Sequence, residues 1–171
     1  MTPGTETAGG LPSSGDVGRP APAIFRVMNP VMRRLLRSPF HRLLSGQLML
    51  LEYTGRVSGR TYAIPIGYFA WDGGGVLSVS GTRWWKNLRD GRRVSLLVRG
   101  VRHAAVPAVI ESADSRADLF AEFVRRYGPK VAGRLQAGLP SDRDPTPDEL
   151  RSAATLKMLI LFDPAAGEPI A

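Results

Sequence analysis

The chain has 171 residues, 43% of them hydrophobic and 22% charged, with a net charge of +8, which suits one soluble domain with a sizeable core. It has no cysteine and only two histidines, His41 and His103, so a disulfide framework, a thiolate metal site and a Cys nucleophile are excluded and a zinc site or His-based triad is not expected. No run of about 18 uncharged apolar residues would cross a membrane and the N-terminus lacks the layout of a secretory signal, so a cytoplasmic protein is expected.

Residues 1–19 are rich in Gly, Pro, Ser and Thr and read as a disordered tail. A single domain is expected over residues 20–171. From about 23 to 44, Ile24, Val27, Met28, Val31, Leu35 and Leu36 recur at spacings of three and four. That stripe predicts a cover helix, broken by Pro30 and Pro39. Arg26, Arg33, Arg34 and Arg37 flank it, so the segment either covers the core or touches anionic lipid peripherally.

Strands are predicted next. Gln47 to Tyr53 is short and apolar. Thr61 to Trp71 is longer, and Pro65 within it points to an edge or a bulge. Asp72 to Gly75 reads as a flexible hairpin turn. Val76 to Ser80 alternates, and Trp84 to Arg89 allows about one and a half helical turns. Val94 to Val98 and Val101 to Ile110 flank a turn at Arg99-Gly100. Ser112 or Asp114 caps a helix through Tyr127, with Leu119, Phe120, Phe123 and Val124 on one face. Residues 128–146 carry no clear period. Pro147 suits the first turn of a short helix after Thr146, and Leu156 to Phe162 reads as a final strand. About six short antiparallel strands in meander order, with a remote last strand to close them, predict a mainly β fold, an antiparallel split β-barrel with peripheral helices.

Charge is unevenly placed. Residues 20–103 hold 14 Lys and Arg against 3 Asp and Glu, whereas residues 104–171 hold 8 against 10. A genome that favours Arg codons explains part of this, and an anionic partner explains the rest. Two motifs sit in the basic half. The turn Thr54-Gly55-Arg56-Val57-Ser58-Gly59-Arg60 offers two glycines, hydroxyls and two guanidinium forks, a chemistry that suits phosphate or carboxylate. Ser80-Gly81-Thr82-Arg83-Trp84-Trp85-Lys86-Asn87-Leu88 adds cations and two adjacent indoles. Together they describe a pocket for a flat ring with an anionic tail. Aromatic residues are not interleaved along a basic sheet face, so nucleic acid is not expected.

In order and spacing, the Thr-Gly-Arg-x-Ser-Gly turn, Pro65, Ser80 and Trp84-Trp85-Lys86-Asn87-Leu88 resemble the deazaflavin-dependent nitroreductase family of the split β-barrel flavin-binding superfamily. The resemblance runs from about Leu48 to Val109. It departs at Val57, where the family often has Lys, and in the loop before Trp84, which is shortened here to Gly81-Thr82-Arg83. The resemblance implies coenzyme F-420 as cofactor and hydride transfer to a lipophilic small molecule such as a quinone, nitroaromatic or enone. Chemistry of that kind needs little acid–base machinery from the protein.

On that reading Arg56, Ser58, Gly59 and Arg60 hold the phosphate and tail carboxylates. Thr82 and Arg83 open a short helix that favours an anion. Trp84 and Trp85 either wall the ring or anchor the segment, and one of them is expected in the core. Pro65 and Asn87 join the binding set, although Asn87 also suits local backbone groups. Ser80 and Tyr68 are the candidates near the reacting end, and Tyr127 is a further proton donor to weigh. A split-barrel FMN reductase and a non-enzymatic binder of lipid, tetrapyrrole or nucleic acid remain as alternatives. A homodimer is expected, since split barrels commonly pair.

Overall fold

The computed structural model describes residues 48–165, 169 and 170. The expected tail and cover helix lie outside the described residues. Seven strands are described: β1 (Leu48–Thr54), β2 (Thr61–Gly67), β3 (Phe69–Ala70), β4 (Val76–Ser80), β5 (Val94–Val98), β6 (Val101–Val109) and β7 (Met158–Pro164). They form one sheet in the order β2-β1-β5-β6-β7-β4-β3, and every neighbouring pair is antiparallel.

Only Tyr68 separates β2 from β3, so the sheet begins and ends on one bent run of chain. The Ser78 hydroxyl of β4 donates to the Gly67 carbonyl at the end of β2, at 2.8 Å. The sheet thereby closes on itself as a split β-barrel, and β7 does the closing by entering between β6 and β4. The strand expected from Thr61 to Trp71 is therefore interrupted. Its first half pairs with β1 and its second with β4, and Tyr68 is the buried pivot. Pro65 faces Leu50 of β1, and among the described residues β2 shares a backbone ladder with β1 alone, so its missing N–H disrupts no second ladder.

Strand alternation sorts side chains to two faces. Met49, Leu51 and Tyr53 point inward with Ile66, Leu96, Val98, Ile160 and Phe162. Leu77 and Leu159 point outward and meet Phe120, Phe123, Ala153 and Ala154 of the covering helices. Those helices are α1 (Ala113–Tyr127) and α3 (Pro147–Leu156), with the short α2 (Pro129–Gly133) between them. A small third cluster of Leu50, Ala63 and Leu97 sits on the outer wall of β1, β2 and β5. The last strand starts at Met158, not at Leu156, because α3 continues through Leu156.

Side-chain contacts at their ends hold the helices. The Ser112 side chain caps α1 by accepting from the Ser115 N–H. One turn on, Arg116 is buried, and its guanidinium donates to three backbone carbonyls: Ala154 at 2.7 Å, Ile110 at 2.9 Å and Glu111 at 2.7 Å. One cation thus ties the end of β6 to the end of α3. Thr146 and Glu149 form a reciprocal capping box at the start of α3, the arrangement that satisfies two otherwise orphan N–H groups. The Glu149 carboxylate also takes both arms of Arg143, at 2.7 and 2.9 Å.

Arg116→Met should expose the cost of three carbonyls that lose this donor, one buried and two partly buried. Chemical denaturation is expected to show a loss of about 3 kcal/mol, since each unsatisfied group costs about 1–3 kcal/mol. Glu149 provides a pH test. Its hydrogen bonds to Arg143 and to the Thr146 backbone lower its pKa from 4.5 to about 2. A carboxyl depressed on folding contributes stability above its unfolded pKa and loses it as pH falls through the folded value. Glu149→Gln should therefore melt below wild type at pH 7, and the two melting curves should converge as the pH falls from 4.5 to about 2.

Candidate functional site

Antiparallel pairing brings the two motifs to the same rim of the barrel. Thr54 ends β1 opposite Thr61 of β2, Ser80 ends β4 opposite Met158 of β7, and β5 starts nearby at Val94. The Gly/Arg turn is closed by the Gly55 N–H donating to the Arg60 carbonyl and the Gly59 N–H donating to the Gly55 carbonyl, both at 2.8 Å. Its glycines are needed for different reasons. Gly59 has φ +65°, which favours glycine. At Gly55 a Cβ would stand 2.7 Å from the Tyr62 ring and 2.6 Å from Ser58 Oγ. With the Gly59 N–H already used, the turn presents cationic side chains more than a nest of free amides.

The second motif forms a 3-10 segment, Arg83–Leu88. Asn87 bolts it to the turn. Its Oδ1 accepts from the Arg56 N–H at 3.1 Å, and its Nδ2 donates to the Trp84 carbonyl at 3.0 Å. The Asn87 amide is therefore committed to backbone on both sides. Trp84 and Trp85 are both half-buried against the barrel core, where one was expected inside. Trp84 tilts toward Tyr53 at 6.4 Å between ring centroids. Trp85 lies beneath the guanidinium of Arg89 at 4.9 Å and the ammonium of Lys86 at 5.8 Å. Two cations thus shield one indole while the other faces the aromatic interior.

The remaining candidates distribute as follows. Ser80 is buried at the end of β4. Its hydroxyl accepts from the Thr82 N–H at 3.2 Å and also reaches the Thr82 carbonyl and hydroxyl. Thr82 and Arg83 follow it on the rim. Lys157 comes close to Gly81: a Cβ there would sit 3.1 Å from its Nζ. Pro65 lies along β2, away from the turn, and Tyr68 is enclosed in the barrel core beside Val76 and Phe162. Tyr127 is on α1, packed with Phe69 and Phe123, and its hydroxyl donates to the Ala70 carbonyl. The structure thus joins Arg56, Ser58, Gly59 and Arg60 with Trp84 and Asn87, and leaves Pro65, Tyr68 and Tyr127 elsewhere.

A cleft of about 120 Å³ opens beside Asn87, lined also by Tyr53, Thr54, Leu88, Arg92, Arg93 and Val94. Whole-ligand pockets run to about 300–1,000 Å³, so this cleft suits one anionic group and not a fused ring. Arg92 is held by Asp90 at 2.9 Å. Among the described residues, Arg56, Arg60, Arg83 and Arg93 form no ion pair with a carboxylate. Arg92 and Arg93 are additions that sequence reasoning missed, although both lie in the same basic stretch. Tyr53, at the cleft wall, has its phenol pushed up to about 12 by burial and by the neighbouring Tyr62.

Among the described residues no His, Asp and Glu cluster could hold a metal ion, and no helix is long and apolar enough to cross a membrane. No protein-family model and no curated protein matches the sequence. Solved structures do match it. A pyridoxamine 5'-phosphate oxidase-related, FMN-binding protein from Nostoc punctiforme is 16% identical with a TM-score of 0.48, covering 82% of this chain and 85% of its own. An F-420-H2-dependent reductase is 17% identical with a TM-score of 0.43, covering 69% and 95%. The haem-storage protein HutZ from Vibrio cholerae is 14% identical with a TM-score of 0.44, covering 79% and 88%. The split-barrel description itself rests on the strand order.

The Asn87 bolt can be tested on the free protein. Asn87→Ala removes the acceptor of the Arg56 amide, and that amide should exchange with solvent at least tenfold faster by NMR. Amides in the centres of β1 and β5 should keep their rates, because a single exposed hydrogen bond contributes only about 1 kcal/mol to global stability.

Proposed function

We propose that the protein is a deazaflavin-dependent oxidoreductase acting on a lipophilic small molecule. The observation that carries this reading is the junction made by Asn87. It joins a turn bearing Arg56 and Arg60 to the Trp84-Trp85 segment, beside a cleft lined by Arg92 and Arg93. The donor set fits a cofactor with an anionic tail, since guanidinium groups without carboxylate partners are the natural hosts of phosphate and carboxylate. When bound, a reduced deazaflavin supplies hydride chemistry. The protein's own part is to bind and orient: Arg56 and Arg60 hold tail anions, Arg93 takes one anionic group in the cleft, and the Trp84–Tyr53 side excludes water from the ring.

Ser80 has a positioning role on this reading. Its hydroxyl closes the Gly81-Thr82 loop upon itself, which keeps Arg83 at the rim despite the loop's shortness. FMN is the second reading, favoured by the cleft's volume of about 120 Å³, which accommodates a single phosphate. Arg56 and Arg60, on the turn beyond the residues that line the cleft, favour the longer polyanionic tail.

Spectral titration with coenzyme F-420 and with FMN tests both. The deazaflavin is expected to bind more tightly. Arg56→Ala should weaken it by about ten- to a hundredfold, the value of a charge-assisted hydrogen bond of about 1.5–3 kcal/mol. Arg56→Lys should recover only part, because an ammonium lacks the bidentate fork. The melting temperature without cofactor should barely move. No spectral change with either flavin would overturn the reading.

A further inference from the structure

We infer that Tyr62 is a preformed stacking plate for the ring of a planar ligand, with the anionic part of that ligand directed to the arginines of the adjoining turn. The ring is fixed on three sides. One face stacks on Tyr53, with centroids 5.5 Å apart and planes 23° from parallel. One edge lies against the backbone of Gly55, where any Cβ would intrude to 2.7 Å. The hydroxyl tip is tied to Ser58 Oγ at 3.1 Å. Even so, Tyr62 remains 40% exposed, among the most open large apolar residues described, whereas Tyr53 beneath it is 8% exposed. A tyrosine immobilised on one face and open on the other has already given up its side-chain freedom. It offers area for stacking at little further entropic cost.

The position gives the plate a ligand class. Tyr62 pairs with Tyr53 across β1 and β2, next to the turn that carries Arg56 and Arg60. Tyr53 in turn lines the cleft that holds Arg93. That cleft is too small for a fused ring, so a ligand that places its anion there or on the turn must lay its ring along the open rim. Tyr62 is the aromatic face available on the turn side. The matching ligand is a flat aromatic or heteroaromatic ring with an anionic substituent. Applied to the flavin-type cofactor this rests on the function proposed above. As a recognition element it does not depend on which ring is bound.

Three probes separate these: coenzyme F-420, FMN and anthraquinone-2-sulfonate, a planar anion that is no flavin. Tyr62→Leu should weaken each probe by about three- to tenfold, the range of an aromatic pair, while Tyr62→Phe should stay within about twofold of wild type. Fluorescence of a bound flavin should be quenched in wild type and recover in Tyr62→Leu. In unaltered protein, the ring protons of Tyr62 should shift upfield on ligand addition, a readout that stands even if Tyr62→Leu misfolds. Binding of anthraquinone-2-sulfonate alone, with the same Tyr62 dependence, would uphold the plate and defeat the flavin reading. Flavin binding that ignores Tyr62→Leu and leaves its ring protons unmoved would overturn the plate and leave the flavin reading standing. Failure of all three probes to bind would overturn both.

Discussion

Closure of the sheet depends on a single run of chain, Thr61 to Ala70, that pairs with β1 through its first half and with β4 through its second. A continuous strand cannot lie in two places, so the run bends at Tyr68, whose ring fills the interior at the bend. That change of partner puts the two ends of the sheet, β2 and β3, on adjoining chain, so the sheet curls round instead of lying open with its edges far apart. With it, the ends of β1 and β4 and the starts of β2, β5 and β7 are drawn to one rim. The candidate site is assembled there because the barrel is closed, and not because its segments are near in sequence.

The rim divides its labour between rigid and charged parts. Rigidity comes from neutral contacts: the two arms of Asn87, the Ser80–Thr82 loop, and the stacked Tyr53 and Tyr62. Each is satisfied within the protein. Charge comes from arginines on the turn and beside the cleft, several with no acidic partner among the described residues. Elsewhere on the molecule arginine behaves differently. Arg102 pairs with Glu52, Arg126 with Asp72 and Arg143 with Glu149. Glu52, Asp72 and Asp90 are the three carboxylates of residues 20–103, and each already pairs with an arginine outside the turn. The electrostatic asymmetry visible in the composition therefore becomes a local one at the barrel end.

Aromatic residues show how the fold turns similar side chains to different uses. Tyr53 and Phe162 fill the interior. Phe69, Phe123 and Tyr127 form a cluster outside the barrel that seats α1 on β3. Trp85 serves as a base for Arg89 and Lys86. Tyr62 alone among these keeps a large open area while being held in place. The difference lies in strand direction and register: the side chain opposite Tyr53 is the first inward position of β2 after the turn, at the rim of the barrel wall.

Much of this was legible in the sequence. The strand-like runs of β1, β4, β5 and β6, the Arg99-Gly100 turn and the Ser112 and Thr146 caps follow from local rules, because they depend on neighbours one to four residues apart. Glycines and arginines clustered near Arg56 and Arg83 likewise marked the basic segments. What no local rule contained was the break at Tyr68, since strand pairing partners are chosen by the whole sheet. Nor did it contain the hydrogen bond from the Arg56 amide to Asn87, 31 residues away, or the entry of Arg92 and Arg93 into the cleft wall. Sequence by itself determined which groups this protein has to offer an anion and a ring. Only the tertiary structure decided which of them share one rim, because closing a barrel couples positions that the chain keeps far apart.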